Sequence, residues 1–279
     1  MKKLLYKMIA PMMGIVRMLL GQSNFDLMLS SFVQDYTPVV SAATKHGPIR
    51  FFCSGRLPHY RAATLLQKEP ETIRWLESFD EGDVMWDIGA NVGVYTLYAA
   101  NRGIQVVSFE PSASNFALLN KNLELNKLDD RVSAYCVAMH SATELNHFNL
   151  GSTEIGDAFN SFGNCLDWEG NPYSPTFRQA MVGFRADDFM EQFDVVLPNH
   201  IKIDVDGNED QIVAGAGNLF ASPNVKSVLV ELDVRREDYC EGVFQALRDA
   251  GLSNIVKEPR PEGGDGTFDH VFNFVARRA

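Results

Sequence analysis

The 279-residue chain reads as an α/β protein built on a parallel sheet, and three observations carry that reading. From Asp83 onward, short apolar runs rich in β-branched residues alternate with helical stretches, the pattern of strands joined by crossover helices. A glycine-rich turn, Asp87-Ile88-Gly89-Ala90-Asn91-Val92-Gly93, closes the first of these strands and opens a helix. The composition, 46% hydrophobic and 22% charged, is that of an ordinary globular protein and excludes disordered, collagen-like and polytopic membrane chains.

The alternation places seven strands at 83–88, 105–110, 131–137, 200–205, 225–232, 253–258 and 268–276. Helices fit between them at about 93–101, 112–126, 208–215 and 238–251, the second marked by Leu118, Leu119, Asn122 and Leu125 on neighbouring turns. These spacings suit right-handed crossovers. The interval 145–185 breaks the pattern, yet Phe159, Phe162, Trp168, Tyr173 and Phe177 argue against disorder. It reads as a substrate-facing insertion, with a structural lid or an oligomer contact as the alternative. Residues 70–279 then form the main domain and 1–69 a helical N-terminal extension, with Pro70 near a helix start.

Within residues 1–20, Leu4, Leu5, Met8, Ile9, Met12, Met13, Val16, Leu19 and Leu20 recur at helical spacing, with a kink expected at Pro11. Lys7 and Arg17 interrupt the stretch, so it resembles neither a secretion signal nor a membrane-spanning helix. An amphipathic helix of this kind suits packing on its own domain, a homo-oligomer contact, or the membrane surface at the inner face. The formal charge is −11, from 25 basic and 36 acidic residues, and an acidic surface disfavours nucleic acid as a partner. Cys53, Cys136, Cys165 and Cys240 show neither a disulfide framework nor zinc spacing, which makes a reducing cytoplasm the expected location.

The glycine turn suits a nucleotide-like ligand, because glycines permit close backbone approach and the helix start offers unpaired N–H groups. A dinucleotide fingerprint needs glycines at 89, 91 and 94, whereas Asn91 and Val94 occupy two of these positions; no P-loop occurs either. Glu110, in Ser108-Phe109-Glu110-Pro111, closes the second strand, where a carboxylate can accept hydrogen bonds from both hydroxyls of a ribose.

VMWDIGANVGVYTLYAA, SFEPSASNFALLNKNLELN and IKIDVDGNEDQIVAGA, in that order, resemble the signature blocks of the FkbM family of S-adenosylmethionine-dependent methyltransferases, over roughly residues 70–235. The resemblance implies the seven-stranded, Rossmann-like class I methyltransferase sheet, with the last strand antiparallel beside the fifth. It implies that Gly89, Asn91 and Gly93 line the methionine and ribose portion of the cofactor, within a turn that also holds Asp87 and Ala90. Glu110, followed by Pro111, would hold the ribose hydroxyls, and Ala138 and Met139 the adenine edge. An acid is common just after that segment, where His140 and Ser141 stand here.

Methyl transfer to a hydroxyl needs alignment and a positioned base. Ligands of open α/β sheets bind outside the carboxyl ends of the strands, and the fourth strand ends in Lys202-Ile203-Asp204-Val205-Asp206. Asp204 is the first candidate for base or acceptor orienter, and it also borders the cofactor. Asp206 and Glu209 are further candidates, although their spacing equally suits an N-capping arrangement. The family usually has Glu where Asp206 stands. His140 is a candidate base or a hydrogen-bonded structural residue. Asp204, Asp206, Glu209 and Glu231 could hold a divalent metal, but no ligand spacing is sharp enough to assign one. Tyr95 and Tyr98 read as packing residues, while Arg56, His59 and Arg61 suit either an anionic sugar or a solvated surface.

The expected activity is therefore O-methylation of a hydroxyl on a sugar, glycan or glycosylated metabolite. Methylation of nitrogen, or of a lipid or polyketide hydroxyl, and a non-catalytic cofactor-binding scaffold are the alternatives.

Overall fold

Two helices open the chain, α1 (Lys2–Leu20), which contains Pro11, and α2 (Gln22–Asp35). The computed structural model describes residues 2–259 and 269–278, with side chains from residue 7 onward. The expected helix positions Met1, Leu4 and Leu5 therefore lie outside the described residues or side chains, as does Phe268 of the expected last strand. Residues 1–39 form one compact unit and residues 40–279 a second.

The second unit begins thirty residues before the expected boundary at 69/70, because residues 39–69 are not purely helical. Strands β1 (Val39–Thr44) and β2 (Gly47–Phe52) form a two-stranded sheet, followed by α3 (Arg56–Ala63) and α4 (Pro70–Glu77). Ile49 and Phe51 alternate into the core with period two, too short a run to stand out in the sequence.

Next come β3 (Val84–Ile88), α5 (Val94–Asn101), β4 (Gln105–Phe109), α6 (Ala113–Asn126) and β5 (Val132–Tyr135). Asn122 and Asn126, one helical turn apart on α6, accept the β2 backbone N–H groups of Phe52 and Arg50, each at 2.8 Å. The chain continues through β6 (Ala138–Met139), β7 (Glu144–Leu150), β8 (Ser161–Phe162), β9 (Phe177–Phe184) and α7 (Ala186–Gln192). It ends with β10 (His200–Ile203), α8 (Glu209–Ala214), α9 (Gly217–Ala221), β11 (Ser227–Asp233), α10 (Glu237–Asp249), β12 (Asn254–Lys257) and β13 (Val271–Arg277).

The main sheet has the order β12-β13-β11-β10-β3-β4-β5, parallel except for β13, which runs antiparallel to both neighbours. This is the expected seven-stranded arrangement. One apolar core lies on the face covered by α4, α5 and α6, the other on the face covered by α7 to α10. The strand expected at 131–137 stops at Tyr135, because Ala138 and Met139 leave to pair with β9. They join a second sheet, β6-β9-β7-β8, so the interval 145–185 is framed by the antiparallel pair β7 and β9, with an irregular stretch over 151–176 between them that only the short β8 interrupts as a strand.

At the opposite end of the main sheet from the glycine turn, His200 is buried. Its ring stacks on Phe79 with centroids 3.7 Å apart, Nδ1 lies 2.7 Å from Ser227 Oγ, and Nε2 lies 2.9 Å from Asp83 Oδ2. Lys226 already takes the other Asp83 oxygen at 2.8 Å. Burial therefore pushes His200 down to about 4 despite the pull of Asp83. An unfolded histidine takes up a proton near pH 6.5, so this group should remove stability as pH falls from about 6.5 to about 4, by roughly 3 kcal/mol at most. Urea unfolding at stepped pH should show that contribution in the parent chain, with a flatter slope in His200→Gln over the same window.

Candidate active site

The β3–β10 register sets Lys202 beside Asp87. Lys202 is only 1% exposed, its Nζ lies 2.6 Å from Asp204 Oδ2, and it sits 5.1 Å from the centre of the Tyr95 ring. Burial opposes its charge, but Asp204, Asp87 and Glu69 outweigh burial and hold the ammonium above its ordinary range. Glu69, at the start of α4, is kept ionised against burial by Lys68 and then Lys202. Asp87 is also buried. Its Oδ2 accepts from the Thr96 hydroxyl at 2.6 Å, whereas its Oδ1 has no hydrogen-bond partner among the described residues.

The glycine turn crosses the end of β10 at close quarters. A Cβ on Gly89 would lie 1.9 Å from the Asp204 carbonyl oxygen, and the residue's φ is 89°, so only glycine fits. Asn91, at φ 51°, aims its N–H at Glu110 Oε2 over 2.7 Å, and the Ser112 N–H meets Oε1 at 2.8 Å. Burial raises Glu110 to about 7 against the lowering effect of these two N–H groups. Gly93 departs from expectation: rather than lining the cleft, it is buried where a Cβ would come within 2.4 Å of Leu119 Cδ1. Its role is to seat α5 against α6.

Beyond the turn lies a cavity of about 280 Å³. Asp204, Asp206 and Glu231 face it, with carboxylate oxygens within 4.8 Å of one another, a set with the chemistry to hold a cation. Burial and then the neighbouring Asp204 raise Asp206 to about 6. The same two causes, with Glu69, hold Glu231 well above the carboxylate range. Asp206 does not cap α8. It sits at φ 59°, and its Oδ2 accepts the Phe159 N–H at 3.0 Å, which ties the 151–160 loop of the insertion to the cavity. Asp157 of that loop supplies a carbonyl to Asn91 Nδ2 at 2.9 Å and to Asn115 Nδ2 at 3.2 Å. The insertion thus reaches the site.

Glu209 lines the cavity, but both of its oxygens are engaged in structure. Oε1 accepts the Gly207 and Val205 N–H groups at 3.1 and 3.3 Å, and Oε2 accepts the Tyr239 hydroxyl, so it fastens the loop after β10 rather than serving as a base. Burial raises it to about 7. His140 is likewise not beside the carboxylates: with Ala138, Met139 and Pro111 it lines a narrow separate recess, and burial lowers its pKa. Ala90 borders another narrow cleft with Asp87 and Lys202, and Arg56 and His59 are exposed away from the cavity. Tyr95 and Tyr98 are buried packing residues, as expected.

Arg61 does line the cavity, its Nε donating to the Gly156 carbonyl at 2.8 Å. Tyr60, Lys68, Trp168, Arg236 and Tyr239 complete the walls and were not anticipated as a group. For Arg236 and Tyr239 a signal existed, since they directly follow a parallel strand at its carboxyl end. Tyr60 and Trp168 come from segments that only the tertiary fold brings together.

A buried carboxylate oxygen without a donor, a turn open to close approach and a carboxylate at the second strand end suit a nucleoside that carries an amine. Comparison with known proteins agrees with this chemistry. Residues 87–253 match the methyltransferase FkbM domain. The hexuronic acid methyltransferase AglP of Haloferax volcanii is 28% identical over 207 residues, which cover 71% of this chain and 75% of that protein. The 31-O-demethyl-FK506 methyltransferase FkbM of Streptomyces tacrolimicus is 24% identical, covering 64% of this chain and 76% of that one. In fold, the crystal structure of a SAM-dependent methyltransferase from Agrobacterium tumefaciens overlays 86% of this chain and 70% of its own at a TM-score of 0.50 and 11% identity. With the family model spanning more than half of the sequence and the seven-stranded sheet in place, the chain belongs to the FkbM methyltransferases and uses S-adenosylmethionine as its methyl donor.

Proposed function

We propose that the chain methylates a hydroxyl of a carbohydrate unit, in a glycan or a glycosylated metabolite. The observation that carries this reading is the cavity next to the glycine turn. It combines aromatic walls from Tyr60, Trp168 and Tyr239, the cations Arg61 and Arg236, and the Asp204–Asp206 pair at the strand end. Aromatic faces with a few polar groups suit the apolar and hydroxylated sides of a sugar ring, and the guanidinium groups suit an acidic sugar. The hexuronic acid relative points to the same class of acceptor.

Bound S-adenosylmethionine supplies an electrophilic methyl group on a sulfonium. In the proposed arrangement Asp87 Oδ1 receives the ligand's ammonium and Glu110 its ribose hydroxyls, with Ala138, Met139 and Pro111 along the adenine side. Asp206, raised to about 6, is ionised near neutral pH yet basic enough to hold the acceptor's proton, which makes it the better base. Asp204, tied to Lys202, is the more rigid group and orients the acceptor. The four free cysteines suit a reducing cytoplasm as the place of action.

Asp206→Asn should lower kcat roughly a hundredfold or more while leaving S-adenosylhomocysteine affinity within a few fold. The assay is transfer of labelled methyl to a panel of uronic-acid and neutral sugar glycosides. Unchanged turnover would remove Asp206 as the base, and cofactor binding without transfer to any acceptor would favour a scaffold.

Glu110→Gln should weaken S-adenosylhomocysteine binding roughly tenfold or more, since hydrogen bonds to a charged group are lost. Free Glu110 titrates near 7 and ribose donors favour its ionised form, so affinity in the parent chain should decline as pH falls below about 7. Calorimetry in buffers of different ionisation enthalpy should register proton release on binding near pH 7, and this release should vanish in the glutamine variant.

A further inference from the structure

We infer that α1 and α2 form a docking surface for the anionic headgroup face of a lipid bilayer. Among the described residues, 24 large apolar side chains are exposed, and twelve of them lie between Met8 and Tyr36. On α1, Met8, Met12, Ile15 and Leu19 recur on one face, exposed by 63, 64, 55 and 76%. Lys7 and Arg17 lie on the other side of the helix at its 3.6-residue period. On α2, Phe32 and Tyr36 add a stacked pair with ring centroids 4.8 Å apart, both rings well exposed.

Apolar area of this extent on a globular protein marks a partner surface, and charge identifies the partner. Residues 1–20 hold Lys2, Lys3, Lys7 and Arg17 and no acid, whereas residues 40–279 hold 21 basic against 34 acidic residues. Basic residues beside an apolar helix face match a bilayer with anionic headgroups, while the acidic remainder is repelled from it. A second copy would set basic helix against basic helix. No helix among the described residues is long and apolar enough to cross a membrane, so α1 would lie in the interface rather than span it.

Flotation of the full chain with phosphatidylcholine vesicles, with and without phosphatidylglycerol, tests this. The protein should float with the anionic vesicles, float less at high salt, and stay unbound with phosphatidylcholine alone. Replacing two of the four basic residues, Lys7→Gln with Arg17→Gln, should weaken partitioning roughly thirtyfold. Met12→Glu with Leu19→Glu should abolish it, with thermal unfolding and S-adenosylhomocysteine binding unchanged because both side chains are exposed. Failure to bind anionic vesicles, or binding indifferent to lipid charge and to these variants, would overturn the inference. So would a lipid-free dimer that the Met12/Leu19 variant dissociates, which would assign the face to a second copy.

Discussion

A single buried ammonium organises the catalytic end of this fold. Lys202 lies in the middle of the central strand, almost without solvent contact, and an unpaired cation there would cost several kcal/mol. Its charge is met by carboxylates from three separate elements: Asp87 on the adjacent strand, Asp204 just past its own strand, and Glu69 at the start of α4. Each is thereby fixed in position. Glu69 draws in Lys68, which brings the segment before the main sheet to the edge of the cavity. This dependence explains why residues 40–69 belong to the same compact unit as the sheet.

The backbone is as constrained as the charges. Gly89 and the Asp204 carbonyl occupy neighbouring space with no room for a side chain, and Asn91 and Asp206, on the two crossing segments, both adopt left-handed conformations. Such residues persist only where the surroundings over-determine them. Here Glu110 receives the Asn91 N–H, and Asp206 receives the Phe159 N–H. The cofactor side and the insertion loop are thus secured by carboxylates whose own ionisation is sensitive to what binds.

The sheet was legible in the sequence because its strands alternate with helices at crossover spacing, and because Gly89 answers a requirement of backbone space at the end of the first of them. The β1–β2 pair was not legible, since six-residue strands with two buried residues look like any short apolar run. The second sheet escaped for a related reason: β6 and β8 are two residues each and exist only through pairing with β7 and β9. Gly93, Glu209 and His140 stand out in the sequence, but spacing does not say on which side of a loop a side chain lies, so their packing and hydrogen-bonding roles show only in the fold. Leu119, Tyr239 and Phe162 decide those cases, and all three are distant in the chain.

The acidity of the cavity bears directly on which ligand state it prefers. Asp204, Asp206 and Glu231 lie close enough that Asp204 raises the other two, an electrostatic cost that a cation relieves and a neutral molecule of similar shape does not. Under the proposed function, that preference would favour the sulfonium donor over the thioether left after transfer. Arg61 is close enough to Asp206 to lower it, and Arg236 Nη1 lies 3.4 Å from where a Cβ on Gly207 would stand, so cations and carboxylates share one part of the cavity.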